Sequence, residues 1–202
     1  MEPHFRLCDD LFYNVVVPQD VGYPGTEALF DVIKRLPVNL PGIVIVQHMP
    51  PVFTKMYADR LNNQTNFEVK EAENGDLIKK GRIIIAQGGI QMKVVRRGSE
   101  YTIKLSGTEK QSGHCPSVDV LFSSVAETAR EKSVGVLLTG MGIDGAKGLL
   151  EMKKKGAYTI GQDEATSVVF GMPKAAYSIG AVTAQLPLLD IPGKITNYFN
   201  KI

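Results

Sequence analysis

Short β-branched runs recur along this chain, and most are followed by a segment with helical spacing. That alternation constrains the fold more than any other feature. Strands are expected at 14–17, 42–47, 82–86, 134–139, 157–161 and 181–185. Helical patterns lie between them: "TEALFDVIKRL" from Thr26 as cap, "FTKMYADRLNN", and "SVDVLFSSVAETAREK" with Ser117 as cap. "AKGLLEMKKKG" ends at Gly156, a helix follows Pro173, and "DIPGKITNYFN" is capped by Asp190. Strands separated by helices pair in parallel and carry the helices on both faces. The expectation is an α/β fold: a doubly wound, mainly parallel sheet in a Rossmann-like three-layer αβα arrangement. One segment departs from it. "MKVVRRGSEYTIKL", residues 92–105, is two alternating runs about a Gly-containing turn. It predicts an antiparallel β-hairpin at a sheet edge.

At 202 residues the pattern fits one domain, expected over 14–202, after an N-terminal extension at 1–13. A chain of this size buries roughly 70% of its unfolded surface, so its core needs no staple. The net charge of +2 argues for no nucleic-acid or membrane partner, and "KKK" at 153–155 reads as a solvated helix end. The two cysteines, Cys8 and Cys115, have no metal-ligand spacing. With no signal peptide in view they suggest the cytoplasm. No apolar run approaches the roughly 20 residues of a membrane span. No metal, cofactor, nucleic acid or membrane insertion is expected.

Chemistry in such folds sits beyond the carboxyl ends of strands. The first strand leads into "PQDVGYPG", residues 18–25, which holds no Ser, Cys, His or Lys. The second leads into "QHMPP", where two prolines delay the next helix and leave His48 in an irregular turn. A loop histidine bonded to backbone would look the same. The other histidines, His4 and His114, fall in the extension and in a loop.

"VGVLLTGMGIDGAKGLLEM" is strand, glycine-rich turn and helix. Gly140, Gly142 and Gly145 spell the dinucleotide fingerprint, and Asp163 follows about 20 positions on. Asp144, inside the glycine run, opposes a pyrophosphate there. It suits two other roles: a carboxylate partner for a histidine, or a cap on the helix beginning near Gly145. "GHCPSVDVLF" sets Cys115, Ser117 and Asp119 at a helix start, where a thiol can be acidified into a nucleophile. More commonly such a cysteine packs and such a serine caps.

"PGTEALFDVIKRLP", "VIVQHMPPVFTKMYADRLN", "CPSVDVLFSSVA", "VGVLLTGMGIDGAKGLLEM" and "SVVFGMPKAA", in that order, resemble the catalytic domain of the chemotaxis methylesterase CheB. The resemblance runs from about Asn14 to the C-terminus. It implies hydrolysis of glutamyl methyl esters, and deamidation of certain glutamines, on chemoreceptor signalling helices. The partner would be a chemoreceptor-like methylated helix or another signalling protein. The family works with Ser, His and Asp. Its Q-H-M-P histidine corresponds to His48, its G-M-G-x-D-G aspartate to Asp144, and the methionine near the oxyanion to Met141. The glycines then serve to bring Asp144 toward His48 rather than to hold a nucleotide.

The nucleophile departs from the family. Its serine lies in a G-A-S-x-G-G turn after the first strand. Counted back from "GTEAL", that serine falls on Gly22 and its neighbour, on the substrate side, on Tyr23. About one extra residue lies between "VVV" and the turn, so Asp20 or Val21 could shift into that position, and the first serine in the chain is Ser99. Family members also usually carry an N-terminal receiver domain, which residues 1–13 cannot form. Ile143 stands where the family commonly has Asn. Two functions are therefore expected to compete: a weak CheB-like esterase, and a pseudoenzyme that binds a signalling partner without turnover. A nucleotide-binding α/β protein is a minor third.

Overall fold

The structure, a computed structural model, describes residues 12–16 and 24–201. The extension before residue 12 and the positions Gly22, Tyr23, Asp20 and Val21 lie outside the described residues. Among the described residues, seven parallel strands form the main sheet. They are β1 (Phe12–Val16), β2 (Gly42–Ile45), β3 (Glu68–Glu71), β4 (Arg82–Ile85), β7 (Ser133–Leu137), β8 (Tyr158–Gln162) and β9 (Ala184–Leu186). Their order is β3-β4-β2-β1-β7-β8-β9. Progress across the sheet reverses at β1, which pairs with β2 on one side and β7 on the other. Reversal of this kind opens a crevice at the carboxyl ends of the strands.

Period-2 alternation sorts the strand residues onto two layers. Ile43 and Ile45 of β2, Ile83 and Ile85 of β4, and Val134 and Val136 of β7 face one side. There they pack against α1 (Pro24–Ile33), α2 (Phe53–Gln64) and α6 (Ile191–Phe199). Val44, Ile84 and Leu137 face the other side, against α3 (Val118–Thr128), α4 (Ala146–Lys154) and α5 (Met172–Ser178). Helices on both faces of a parallel sheet are what the alternating sequence predicts.

Two expectations need correction, and one strand was not expected. The hairpin, β5 (Met92–Arg97) and β6 (Glu100–Leu105), is a separate two-stranded sheet, not an edge of the main one. Its apolar face, Met92, Val94, Tyr101 and Ile103, is buried in the core that α3 shares, and the Val94 amide donates to Ser124 Oγ on α3. Burial in that shared core satisfies the face without any strand pairing to the main sheet. Strand β3 carries no signal in the sequence: it is a charged edge strand in which Val69 is the buried residue. Helix α1 begins at Pro24 rather than after Thr26, because proline's fixed φ suits a first helical turn.

Gly145 shows why α3 and α4 pack closely. Its φ is +87°, and an added Cβ would lie 2.3 Å from Val118 Cγ1. Gly145→Ala combines left-handed strain with overpacking, so the variant is expected to lose about 3 kcal/mol of stability in urea unfolding.

Candidate active site

Two turns converge beyond the carboxyl ends of β2 and β7, the strands that flank β1. The turn after β2 carries His48, which is 5% exposed. The following prolines lie against Gly88, where a Cβ would meet Pro51 N at 2.5 Å and Pro50 C at 2.6 Å. Only a glycine lets the 49–51 backbone seat so deeply. The Gly88 amide in turn donates to Thr54 Oγ1, at 3.1 Å, on α2. Together these contacts fix the depth at which His48 leaves the sheet.

The turn after β7 carries Asp144, 1% exposed. His48 Nε2 and Asp144 Oδ2 are 2.8 Å apart, across 96 residues of chain. The carboxylate has three further donors. The Val118 amide donates to Oδ2 at 2.8 Å, and the Ser117 hydroxyl and Asp119 amide donate to Oδ1 at 2.8 and 3.1 Å. Burial alone would push this carboxyl up. The hydrogen bond from His48, then those from Val118, Asp119 and Ser117, outweigh burial and hold it below the usual aspartate range. An anion here assigns the proton of neutral His48 to Nε2 and leaves Nδ1 as the basic nitrogen.

The sequence left Asp144 open between partner and cap, and the structure gives it both places. The helix it caps is α3, not the one that begins after Gly145. Asp119, in the first turn of α3, returns the service: its Oδ1 accepts from the Gly148 amide at 2.8 Å, and it is bonded to the Gly145 amide as well. Burial, with the Asp144 charge adding to it, pushes the Asp119 carboxyl up against those bonds. The start of α4 is thus already occupied by a carboxylate, which would repel a pyrophosphate. Asp163 makes a local turn, accepting from the Thr166 amide and hydroxyl. The nucleotide reading has no site at this turn.

Ser117 stands at the N-cap position of α3 but makes no cap hydrogen bond; its hydroxyl goes to Asp144 instead. Cys115 lies in the cleft wall, yet burial pushes its thiol up rather than down. The α3 amides that could acidify a thiol are bonded to Asp144, so Cys115 lacks the property expected of a nucleophile. Met141 and Ile143, on the β7–α4 turn, are 62% and 61% exposed. Met141 is free to meet a substrate, and nothing in the structure explains Ile143.

Two residues of the site were missed from sequence. His114 stacks on His48 with ring centroids 3.9 Å apart and planes within 4°. Gln91 is 5% exposed; its amide donates to the Glu109 and His114 carbonyls, and its Oε1 accepts from the Ser117 amide. Neither sits in a pattern with a periodicity or spacing that would mark it. A cleft of about 230 Å³ opens beside them, lined by His48, Pro50, Gly89, Lys110, His114 and Cys115. A larger cavity, about 560 Å³, lies away from His48 between β5, α3 and α4.

A family profile described as CheB methylesterase matches residues 22–195 of this chain. The chain belongs to the CheB methylesterase family. It is 51% identical over 178 residues to protein-glutamate methylesterase/protein-glutamine glutaminase 2 of Syntrophomonas wolfei, covering 88% of this chain and 52% of the relative. It is 54% identical over 177 residues to the Sulfurimonas denitrificans protein-glutamate methylesterase/protein-glutamine glutaminase, covering 88% and 50%. The chain therefore spans about half the length of these curated relatives. The crystal structure of the Thermotoga maritima CheB methylesterase catalytic domain superposes with a TM-score of 0.88 at 36% identity, covering 93% of this chain and 98% of that one. Among the described residues no helix is long and apolar enough to cross a membrane.

The electrostatics of this CheB-family site predict a pH response. Asp144 has a native pKa below its ordinary 3.8, so the stability it contributes is fully present above that value and is lost as pH falls toward the native one. Asp119, raised by burial, acts in the opposite sense. Asp144→Asn is expected to be less stable than the native chain at pH 7, and the gap should narrow toward pH 3. Urea unfolding of both proteins across that range checks it; a constant gap would mean the ionised form is not the stabilising one.

Proposed function

We propose that this chain hydrolyses glutamyl methyl esters on a signalling protein, slowly, with His48 as general base and Asp144 as its orienting anion. The observation that carries the proposal is the buried 2.8 Å contact between His48 Nε2 and Asp144 Oδ2 at the sheet's reversal point. Family members attack with a serine. Here the ungapped count puts Gly22 in its place, with Tyr23 beside it, so the nucleophile is a water.

The steps balance without a cofactor. His48 Nδ1 takes a proton as the water oxygen bonds to the ester carbonyl carbon. The carbonyl becomes an oxyanion near Met141. Asp144 stabilises the imidazolium that forms. The intermediate collapses by breaking the C–OCH₃ bond, and the imidazolium returns its proton to the departing methoxide. Methanol and a glutamic acid side chain remain.

The rim of the cleft supports a helical substrate. Val52, just before α2, and Phe53 and Met56 in its first turn are 69%, 53% and 60% exposed. Met141 and Ile143 add exposed apolar side chains on the β7–α4 turn, the kind of surface on which an amphipathic helix docks. A chemoreceptor-like methylated helix in the cytoplasm fits that surface and the family. Methanol release from a methylated receptor fragment is the test. Release that disappears in His48→Ala is expected; release that persists in that variant would overturn the role of His48. The absence of serine from the turn favours a second reading, binding without turnover. Saturable binding of the methylated fragment with no methanol above background would establish it.

A further inference from the structure

We propose that His114 is a positioning residue for His48: a stacked imidazole that covers one face of the base and fixes its tilt. The inference rests on the reading of His48 as the base, and it adds a residue that neither the motifs nor the mechanism above assign.

The stack is a built contact. Its planes are parallel within 4° and its ring centroids are 3.9 Å apart, so the His114 ring lies over one face of His48. With Nε2 tied to Asp144 and one face under His114, rotation of the His48 ring about either side-chain bond breaks one contact or the other. His114 is held from behind. The Gln91 amide donates to its carbonyl at 3.1 Å, and its backbone pairs in both directions with Gln111 at 2.9 Å. The Gly89 amide also bonds the next carbonyl, that of Cys115. A surface histidine resting on a neighbour by chance would not have its own backbone clamped by a buried glutamine.

The charged and titratable groups around the pair define its electrostatics. Asp144 reaches it from the β7–α4 turn and touches His48. Lys110 and Cys115 line the same cleft from the loop that carries His114. The anion bonds His48, and the cation lies on the side of His114. A positive charge on the His48 ring at this separation opposes protonation of His114. Burial first, then the His48 charge, hold His114 below the ordinary histidine range. The neutral ring is then free to face the imidazolium that His48 becomes during turnover, a cation over an aromatic face.

Imidazole ¹H–¹⁵N NMR on the native chain and on His114→Phe, His114→Ala and His48→Gln tests this without requiring turnover. In the native chain the His48 Nε2 proton should exchange slowly with solvent. Exchange should quicken about tenfold in His114→Ala, the usual worth of an aromatic stack, and return to near native in His114→Phe. His114 should titrate below the ordinary histidine range, and its midpoint should rise in His48→Gln. Unchanged exchange in His114→Ala, or a His114 midpoint indifferent to His48, would overturn the proposal. Should His114→Ala fail to fold, the His114→Phe and His48→Gln arms decide it. Methanol release is a separate readout: its absence would count against the esterase reading, while the exchange and titration results would still judge His114.

Discussion

Gly22→Ser is expected to raise methanol release from a methylated receptor fragment by roughly a thousandfold or more. The size follows from what a nucleophile adds. In hydrolases built on Ser, His and Asp, removing the serine costs about six orders of magnitude, and only binding and oxyanion stabilisation remain. A serine at position 22 would let the His48–Asp144 pair activate an Oγ instead of a loose water. The Oγ would attack the ester carbonyl, methanol would leave, and water would then release the acyl group from the introduced hydroxyl. Restoration through a turn of altered length is expected to be partial, hence the smaller figure. Gly22→Ala is the control and should gain nothing. Gly22→Ser combined with His48→Ala should also gain nothing. An unchanged rate in Gly22→Ser, with fragment binding intact, would show that position 22 does not face the ester; Asp20→Ser and Val21→Ser would then be the variants to make.

The largest loss of stability is expected at Asp144. Asp144→Ala strips the partner from the His48 imidazole, the Ser117 hydroxyl and the Val118 and Asp119 amides at once. Buried donors left without acceptors cost about 1–3 kcal/mol each when nothing replaces them, though not additively. A total near ~4 kcal/mol is expected from that range, read from the urea midpoint at pH 7. Asp144→Asn should cost about half as much, because one oxygen still accepts. That variant should nonetheless be as inactive as Asp144→Ala. An amide nitrogen turned toward Nε2 favours the wrong His48 tautomer, so stability and activity should separate between the two substitutions. Equal stability losses would mean the two α3 amides are satisfied by water.

Much of this was legible in the sequence, for identifiable reasons. The parallel sheet was readable because Ile43–Ile45 and Val134–Leu137 are buried on both sides and so apolar throughout. β3 was not, because an edge strand with one buried valine and lysine and glutamate around it carries no hydrophobic signal. The hairpin was visible but its place was not, since alternation reports a buried face and not what buries it. His48 and Asp144 could be picked out from where they sit in strand-end turns and from the family motifs. His114 could not: a ring stack between residues so far apart in the chain leaves no trace in spacing. Gln91 escaped for a related reason, as its work is done by an amide reaching backbone carbonyls, which any sequence has.

The crossed capping of α3 and α4 has a consequence for how such a chain changes over generations. Asp144 secures the first turn of α3, while Asp119 secures that of α4. A lineage that had already lost its nucleophile would still be pressed to keep Asp144, since the first turn of α3 loses its buried acceptors without it. No such obligation falls on His48, which donates one hydrogen bond to Asp144 and caps neither helix. Purifying selection acting on folding alone would preserve the aspartate and let the histidine wander. In descendants of this chain it is the fate of position 48, not of position 144, that records whether chemistry was still being asked of the site.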